Sequence, residues 1–110
     1  MRINSNVLAR LVGGIRTAVP GKVSQIILYG SVARGEATEE SDIDVAVIVR
    51  EPLNAEDEER LSDFIVDMNL DYDTVFSVVD IGQDIYTKWK DTSPFYRNVN
   101  TEGVILWTAA

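Results

Sequence analysis

Apolar residues in this chain recur at two different spacings, and the switches between them mark out its elements. Val7, Leu8, Leu11, Val12 and Ile15 fall at helical intervals, which predicts a helix over Ser5 to Ala18, capped by Ser5 or Asn4 and ended by Pro20-Gly21. Val23 to Tyr29 reads as a strand, and Ile26, Ile27 and Leu28 leave it no wet face, as expected of a strand covered on both sides. It stops at Gly30, and Ser31 to Gly35 is predicted as a turn entering a short helix. Asp42 to Val49 is the clearest strand: Ile43, Val45, Val47 and Val49 share one face, and Asp42, Asp44, Ala46 and Ile48 the other. After Pro52, Asn54 opens a helix with Leu61, Phe64, Ile65 and Met68 on its inner stripe. The acids Glu56 to Glu59 sit in its first turn, where the helix dipole favours them, so they read as a helix start and not as a site. A third β-rich run spans Asp73 to Asp80, and a short helix follows over Gln83 to Asp91. Ser93-Pro94 starts another helix, with Ser as cap and Pro at the first position, and Val104 to Trp107 closes the pattern. This order predicts an α/β (α+β) domain with a small mixed β-sheet packed by helices.

At 110 residues the chain fits one domain, residues 1–110, and its composition is that of a soluble globular protein. No apolar run approaches the roughly 20 residues that span a bilayer. The start of the chain lacks the pattern of a secretory signal, so a cytoplasmic location is expected. The absence of cysteine and histidine leaves carboxylates, hydroxyls and metal ions as the available chemistry. A net charge of -8 argues against a nucleic-acid partner held by phosphate neutralisation. It does not argue against a small anionic substrate, because a bound cation reverses the local field.

Two short features carry candidate chemistry. Gly30 lets the chain bend sharply at a strand end and lets a phosphate approach the backbone. Ser31 adds a hydroxyl and an amide where a helix begins. Alone, this pair is equally an ordinary strand-to-helix turn. Asp42 and Asp44 place two carboxylates on one face of a strand entry, roughly 7 Å apart along it. Such a pair suits magnesium ions and repels itself without a cation, although two capping acids at a loop end would look the same.

Gly30-Ser31, ten intervening residues and Asp42-Ile43-Asp44 together resemble the signature of the DNA polymerase beta-like nucleotidyltransferase superfamily. Ala33-Arg34-Gly35 and Ser41 look like its minimal nucleotidyltransferase branch, and Asn98-Val99-Asn100-Thr101-Glu102-Gly103-Val104 is similar to the segment that closes many minimal members. The resemblance implies a polymerase beta palm-like fold, ATP as substrate, and two Mg2+ ions on Asp42 and Asp44. It implies Gly30, Ser31, Arg34 and Ser41 toward the nucleotide, and a third acid on a neighbouring strand that ligates metal and activates the acceptor hydroxyl. Asp73 is the first choice for that acid; Asp71 could share its face, and Asp80 lies on the opposite one. Arg34 is equally a surface residue paired with Glu36 or Glu39. Trp89, Phe95, Tyr96 and Trp107 are expected in the core or an interface, not as a base-stacking platform. The implied activity is transfer of AMP from ATP to a hydroxyl, in the minimal branch a tyrosine of a helical HEPN toxin for which this chain would be the antitoxin. The rival expectations are a binding module that neutralises its partner by occlusion, an antibiotic-type nucleotidyltransferase, and a nucleotide-sensing homo-oligomer.

Overall fold

The computed structural model describes residues 3–38 and 42–109. Helix α1 (Ser5–Ala18) is followed by strand β1 (Val23–Tyr29), a single helical turn α2 (Gly30–Ala33) and strand β2 (Ile43–Val49). Helix α3 (Ala55–Tyr72), strand β3 (Phe76–Gly82), helices α4 (Gln83–Trp89) and α5 (Pro94–Glu102) and strand β4 (Val104–Thr108) complete the chain. The sheet order is β3-β2-β1-β4. β1 runs antiparallel to both neighbours, and β2 and β3 are parallel, joined by the crossover through α3. The mixed sheet that the periodicity predicts is therefore present.

Both faces of the sheet are covered, which explains the unbroken apolar runs at residues 26–28 of β1 and 45–49 of β2. On one side α1 and α3 press Leu11, Ile15, Leu61 and Met68 onto Leu28, Val45, Val47 and Phe76. On the other, Tyr86 of α4 and Val99 of α5 pack on Ile27, Ala46, Ile48 and Ile81. α1 is capped by Asn4, whose Oδ1 accepts from Val7 N at 2.9 Å. α3 opens with a reciprocal capping box: Asp57 N donates to Asn54 Oδ1 at 2.8 Å, and Asn54 N donates to Asp57 Oδ2 at 3.1 Å. Asp57 is buried, accepts from Lys22 Nζ, and pairs with Arg60 at 2.6 Å. Lys22 and the Asn54 backbone hold its carboxyl below the usual aspartate range. The acidic first turn thus ties α3 to the α1–β1 connection, where Arg60 also donates to the carbonyl of Ala18 at 2.8 Å.

Three expectations need correction. The third strand does not open at Asp73: α3 runs on to Tyr72, Asp73 ends it in a left-handed conformation (φ 48), and β3 starts at Phe76. Asn69 makes this handover, with Oδ1 accepting from Phe76 N at 2.8 Å and its carbonyl from Thr74 N at 3.2 Å. Ser93 is the N-cap residue of α5, yet its side chain makes no capping bond. The four late aromatics do not all join the core: Tyr96 and Trp107 are half-buried and pack against it, whereas Trp89 and Phe95 are exposed. No described helix is long and apolar enough to cross a membrane.

Candidate active site

β1 delivers Gly30 at the end of the central antiparallel pair, and β2 begins beside it, with Tyr29 opposite Asp44 in the register. Gly30 adopts φ +77, where a Cβ is strained, and a Cβ there would land on Oδ2 of Asp44. The turn and the carboxylate are thus packed against each other. Ser31 is half-buried directly after Gly30. Tyr29 is the N-cap of α2 and Arg34 N donates to Gly30 O at 3.1 Å, so the amides of Ser31 and Val32 stand in the first turn, ahead of the helical bonds, where an anion can reach them. With only one turn behind them, these amides and the serine hydroxyl matter more than any helix dipole.

Asp44 is half-buried, and Asp42 is exposed just before β2. Burial first, and then the charge of Asp42, raise the Asp44 carboxyl above the ordinary aspartate value, while Arg34 opposes them. The two acids therefore form an interacting pair, and a cation between them would offset both the burial of Asp44 and its repulsion by Asp42. Burial and then Asp44 likewise push up the Tyr29 phenol. Tyr29 extends the site toward α5 through an edge-to-face contact with Phe95 at 5.6 Å between centroids.

Arg34 turns away from an empty surface role. Its Nε donates to Glu36 at 2.6 Å and its Nη1 to Glu102 at 3.2 Å, and these bonds raise its own pKa. Of the two partners considered from sequence, Glu36 is present, and Glu39 lies outside the described residues. Glu102 was not assigned a role from sequence, although it sits in the closing Glu102-Gly103 segment; its partner is 68 residues away. Gly103 is required there, because a Cβ would meet the carbonyl of Val99 and the side chain of Ile27.

The other predicted acids disperse. Asp71 lies in α3, paired with Arg10 at 2.7 Å. Asp80 is in register with Val47, on the sheet face opposite Asp44, and there it joins burial in raising the carboxyl of Glu58. Asp73 is exposed at the α3 C-cap, and among the described residues no three acids gather closely enough to hold one metal ion. The side chain beside Asp44 on β3 is instead Ser77. Ser41 lies outside the described residues.

The nucleotidyltransferase domain model matches residues 8–98 of the chain. This chain belongs to the nucleotidyltransferase domain family. It is 31% identical over 100 residues to a protein of Methanocaldococcus jannaschii provisionally named a protein adenylyltransferase, covering 91% of this chain and 94% of the relative. A second protein of that organism with the same provisional name is 34% identical, over 82% of this chain and 85% of its own. Among solved structures, a toxin–antitoxin with AMP-PNP superposes with a TM-score of 0.65 at 22% identity, over 93% of this chain and 73% of that one. A tri-AMPylated Shewanella oneidensis HEPN toxin in complex with MNT antitoxin gives 0.63 at 20% identity, over 97% and 74%. These structural likenesses establish the shared fold.

Proposed function

We propose that this nucleotidyltransferase transfers AMP from ATP to a hydroxyl of a protein partner, with Mg2+ held by Asp42 and Asp44. The observation that carries the reading is the contact between Gly30 and Asp44, which sets a phosphate-sized turn against a paired carboxylate. Magnesium characteristically takes one or two carboxylates and completes its shell with water and substrate phosphates, so this acid pair fits it. When bound there, the metal neutralises phosphate charge and lowers the pKa of an attacking hydroxyl. The open amides of the turn and the Ser31 hydroxyl hold the β- and γ-phosphates. Arg34 offers them a cation at the cost of its pairs with Glu36 and Glu102. The acceptor oxygen attacks the α-phosphorus, the bond to the bridging oxygen of the β-phosphate breaks, and pyrophosphate leaves. Asp73, exposed at the same end of the sheet, takes the acceptor proton in this reading without ligating the metal. Alignment and charge stabilisation supply the rate.

The acceptor we infer is a tyrosine of a HEPN-type helical protein. A phenol ionises near pH 10, far more readily than water, and so demands least of a site poor in basic groups. The names of the relatives and the toxin–antitoxin complexes among the fold neighbours support the same choice.

A second reading, neutralisation of the partner by occlusion, is favoured by one observation: among the described residues no three acids come together to hold a metal ion. Radiolabelled ATP, magnesium and a HEPN-type protein from the same genome separate the two, comparing wild type with Asp44→Asn. Label on the partner with wild type alone supports transfer. If no label appears while both proteins neutralise the partner, transfer is lost and occlusion stands. An antibiotic with free hydroxyls serves as the control acceptor, and label there instead would place the chain among the small-molecule enzymes.

A further inference from the structure

The parallel register of β2 and β3 sets Asp44 beside Ser77, and the antiparallel register of β1 and β2 sets Asp44 opposite Tyr29. Paired positions on neighbouring strands point to the same side of a sheet, so Tyr29, Asp44 and Ser77 form one row across three strands. The pairing continues upward: Ile43 N donates to the carbonyl of Val75 at 2.8 Å, so β3 is locked to β2 at the level of the acid pair. Neighbouring strands lie about 4.8 Å apart, a separation across which two short side chains reach a common cation. Ser77 is half-buried, as is Asp44. Three described acids considered for this place lie elsewhere: Asp71 pairs with Arg10, Asp80 is on the opposite face, and Asp73 is at the helix end before the strand.

We propose that Ser77 occupies the third ligand position of the metal centre, so that this chain works with a centre of two carboxylates and one neutral hydroxyl. The proposal rests on the reading of Asp42 and Asp44 as metal ligands. A hydroxyl is a weaker ligand for a hard cation than a carboxylate, so the centre binds magnesium weakly until triphosphate oxygens complete it. The same substitution spares the metal-free protein a third negative charge beside the strained pair. Ser77 thereby makes metal binding depend on nucleotide.

The test measures metal binding without turnover. Thermal unfolding of the full chain is followed against magnesium at constant ionic strength, with no nucleotide, for wild type, Ser77→Asp, Ser77→Asn and Ser77→Asp combined with Asp44→Asn. Ser77→Asp is expected to start less stable than wild type. It should be rescued at a magnesium concentration about tenfold lower than any that stabilises wild type, in keeping with the dependence of affinity on ligand charge. Ser77→Asn and the double variant should show no such rescue. If Ser77→Asp responds to magnesium as Ser77→Asn does, the proposal is overturned.

A second variant covers the case in which Ser77→Asp does not fold. The chain has no cysteine, so Ser77→Cys introduces a single thiol of nearly the same size. Cadmium binding to it is read from the near-ultraviolet thiolate-to-metal absorption. Binding about tenfold weaker when Asp44→Asn is added shows that positions 77 and 44 share the ion, by the same charge argument. Equal binding shows that they do not, and overturns the proposal. If wild type fails to bind a non-hydrolysable ATP analogue with magnesium while these shifts appear, the proposed transfer falls and the ligand position stands.

Discussion

Replacing Gly30 by alanine separates the cost of the turn from the cost of its contact with the acid. Gly30 and Gly21 have nearly the same backbone conformation, φ +77 and φ +75, so alanine at either pays the left-handed penalty of about 1–2 kcal/mol. At Gly21 nothing lies within 4 Å of an added Cβ, and the cost ends there. At Gly30 the Cβ would also stand 3.2 Å from Cγ and 3.3 Å from Cβ of Asp44, in addition to overlapping its Oδ2. Rotating the carboxylate away relieves the overlap with Oδ2, but not the contact with Asp44 Cβ, which is fixed to β2. An overpacked contact of this kind adds about 1–3 kcal/mol. For a chain of this size 1 kcal/mol moves the midpoint by about 4 °C, from an unfolding entropy of about 2.1 cal/mol/K per residue. Gly21→Ala should therefore lower the midpoint by about 4–9 °C, and Gly30→Ala by about 9–22 °C. Thermal and urea unfolding followed by circular dichroism measure both. Combining Gly30→Ala with Asp44→Gly tests the contact itself, because the added penalty at position 30 must shrink when both the carboxylate and Cβ of residue 44 are gone. Binding of an ATP analogue with magnesium should be impaired by Gly30→Ala and spared by Gly21→Ala. An equal loss of stability for both glycines, with no coupling to Asp44, would refute the packing argument.

Asp44→Asn should leave the metal-free protein as stable as wild type or more so at neutral pH, because burial and Asp42 both disfavour the charged carboxylate. The folded pKa is raised, so wild type regains this stability as pH falls through that value toward 3.8, and the gap to Asp44→Asn must narrow in that window in pH-dependent unfolding. A wider gap on acidification would reverse the assignment. Glu102→Gln breaks a bond between side chains that are 39% and 42% exposed, so its stability cost should stay below about 1 kcal/mol and vanish at high salt. A loss of several kcal/mol in urea unfolding would mean that the pair is more than a surface tether. Leu11→Ala removes a fully buried side chain between α1 and the sheet and should cost about 2–5 kcal/mol by the same measurement. A cost below 1 kcal/mol would show that the α1 layer collapses to fill the gap.

Local chemistry determined what the sequence revealed. α1 was legible over its whole length because Asn4 caps it and Val7, Leu11 and Ile15 keep its stripe, and β1 and β2 because each carries an unbroken β-branched or apolar run. The start of β3 was not legible. Asp73-Thr74-Val75 looks like strand entry, yet the break depends on a left-handed residue and on Asn69 reaching forward to Phe76, and neither leaves a period in the sequence. Gly30-Ser31 and Asp42-Asp44 were readable as a site because one turn and one strand entry carry them. The neighbour of Asp44 on β3 was not, since register between strands separated by an 18-residue helix is decided by packing. Ser77 draws no attention in a linear reading, and only the pairing of two strands puts it beside the acid pair. Glu102 escaped for the same reason, being joined to the turn solely in three dimensions.

That tether has a consequence for how the protein is made. β1 sits inside the sheet between β2, which follows it closely, and β4, which comes from the far end of the described chain. Arg34 meets Glu102, and Ile27 meets Gly103, only once that last segment has left the ribosome. A nascent chain can have its acidic strand entry and its phosphate turn synthesised long before either is braced. Interrupted translation would then yield a fragment with the motif but with β1 left unpaired along the edge that β4 covers.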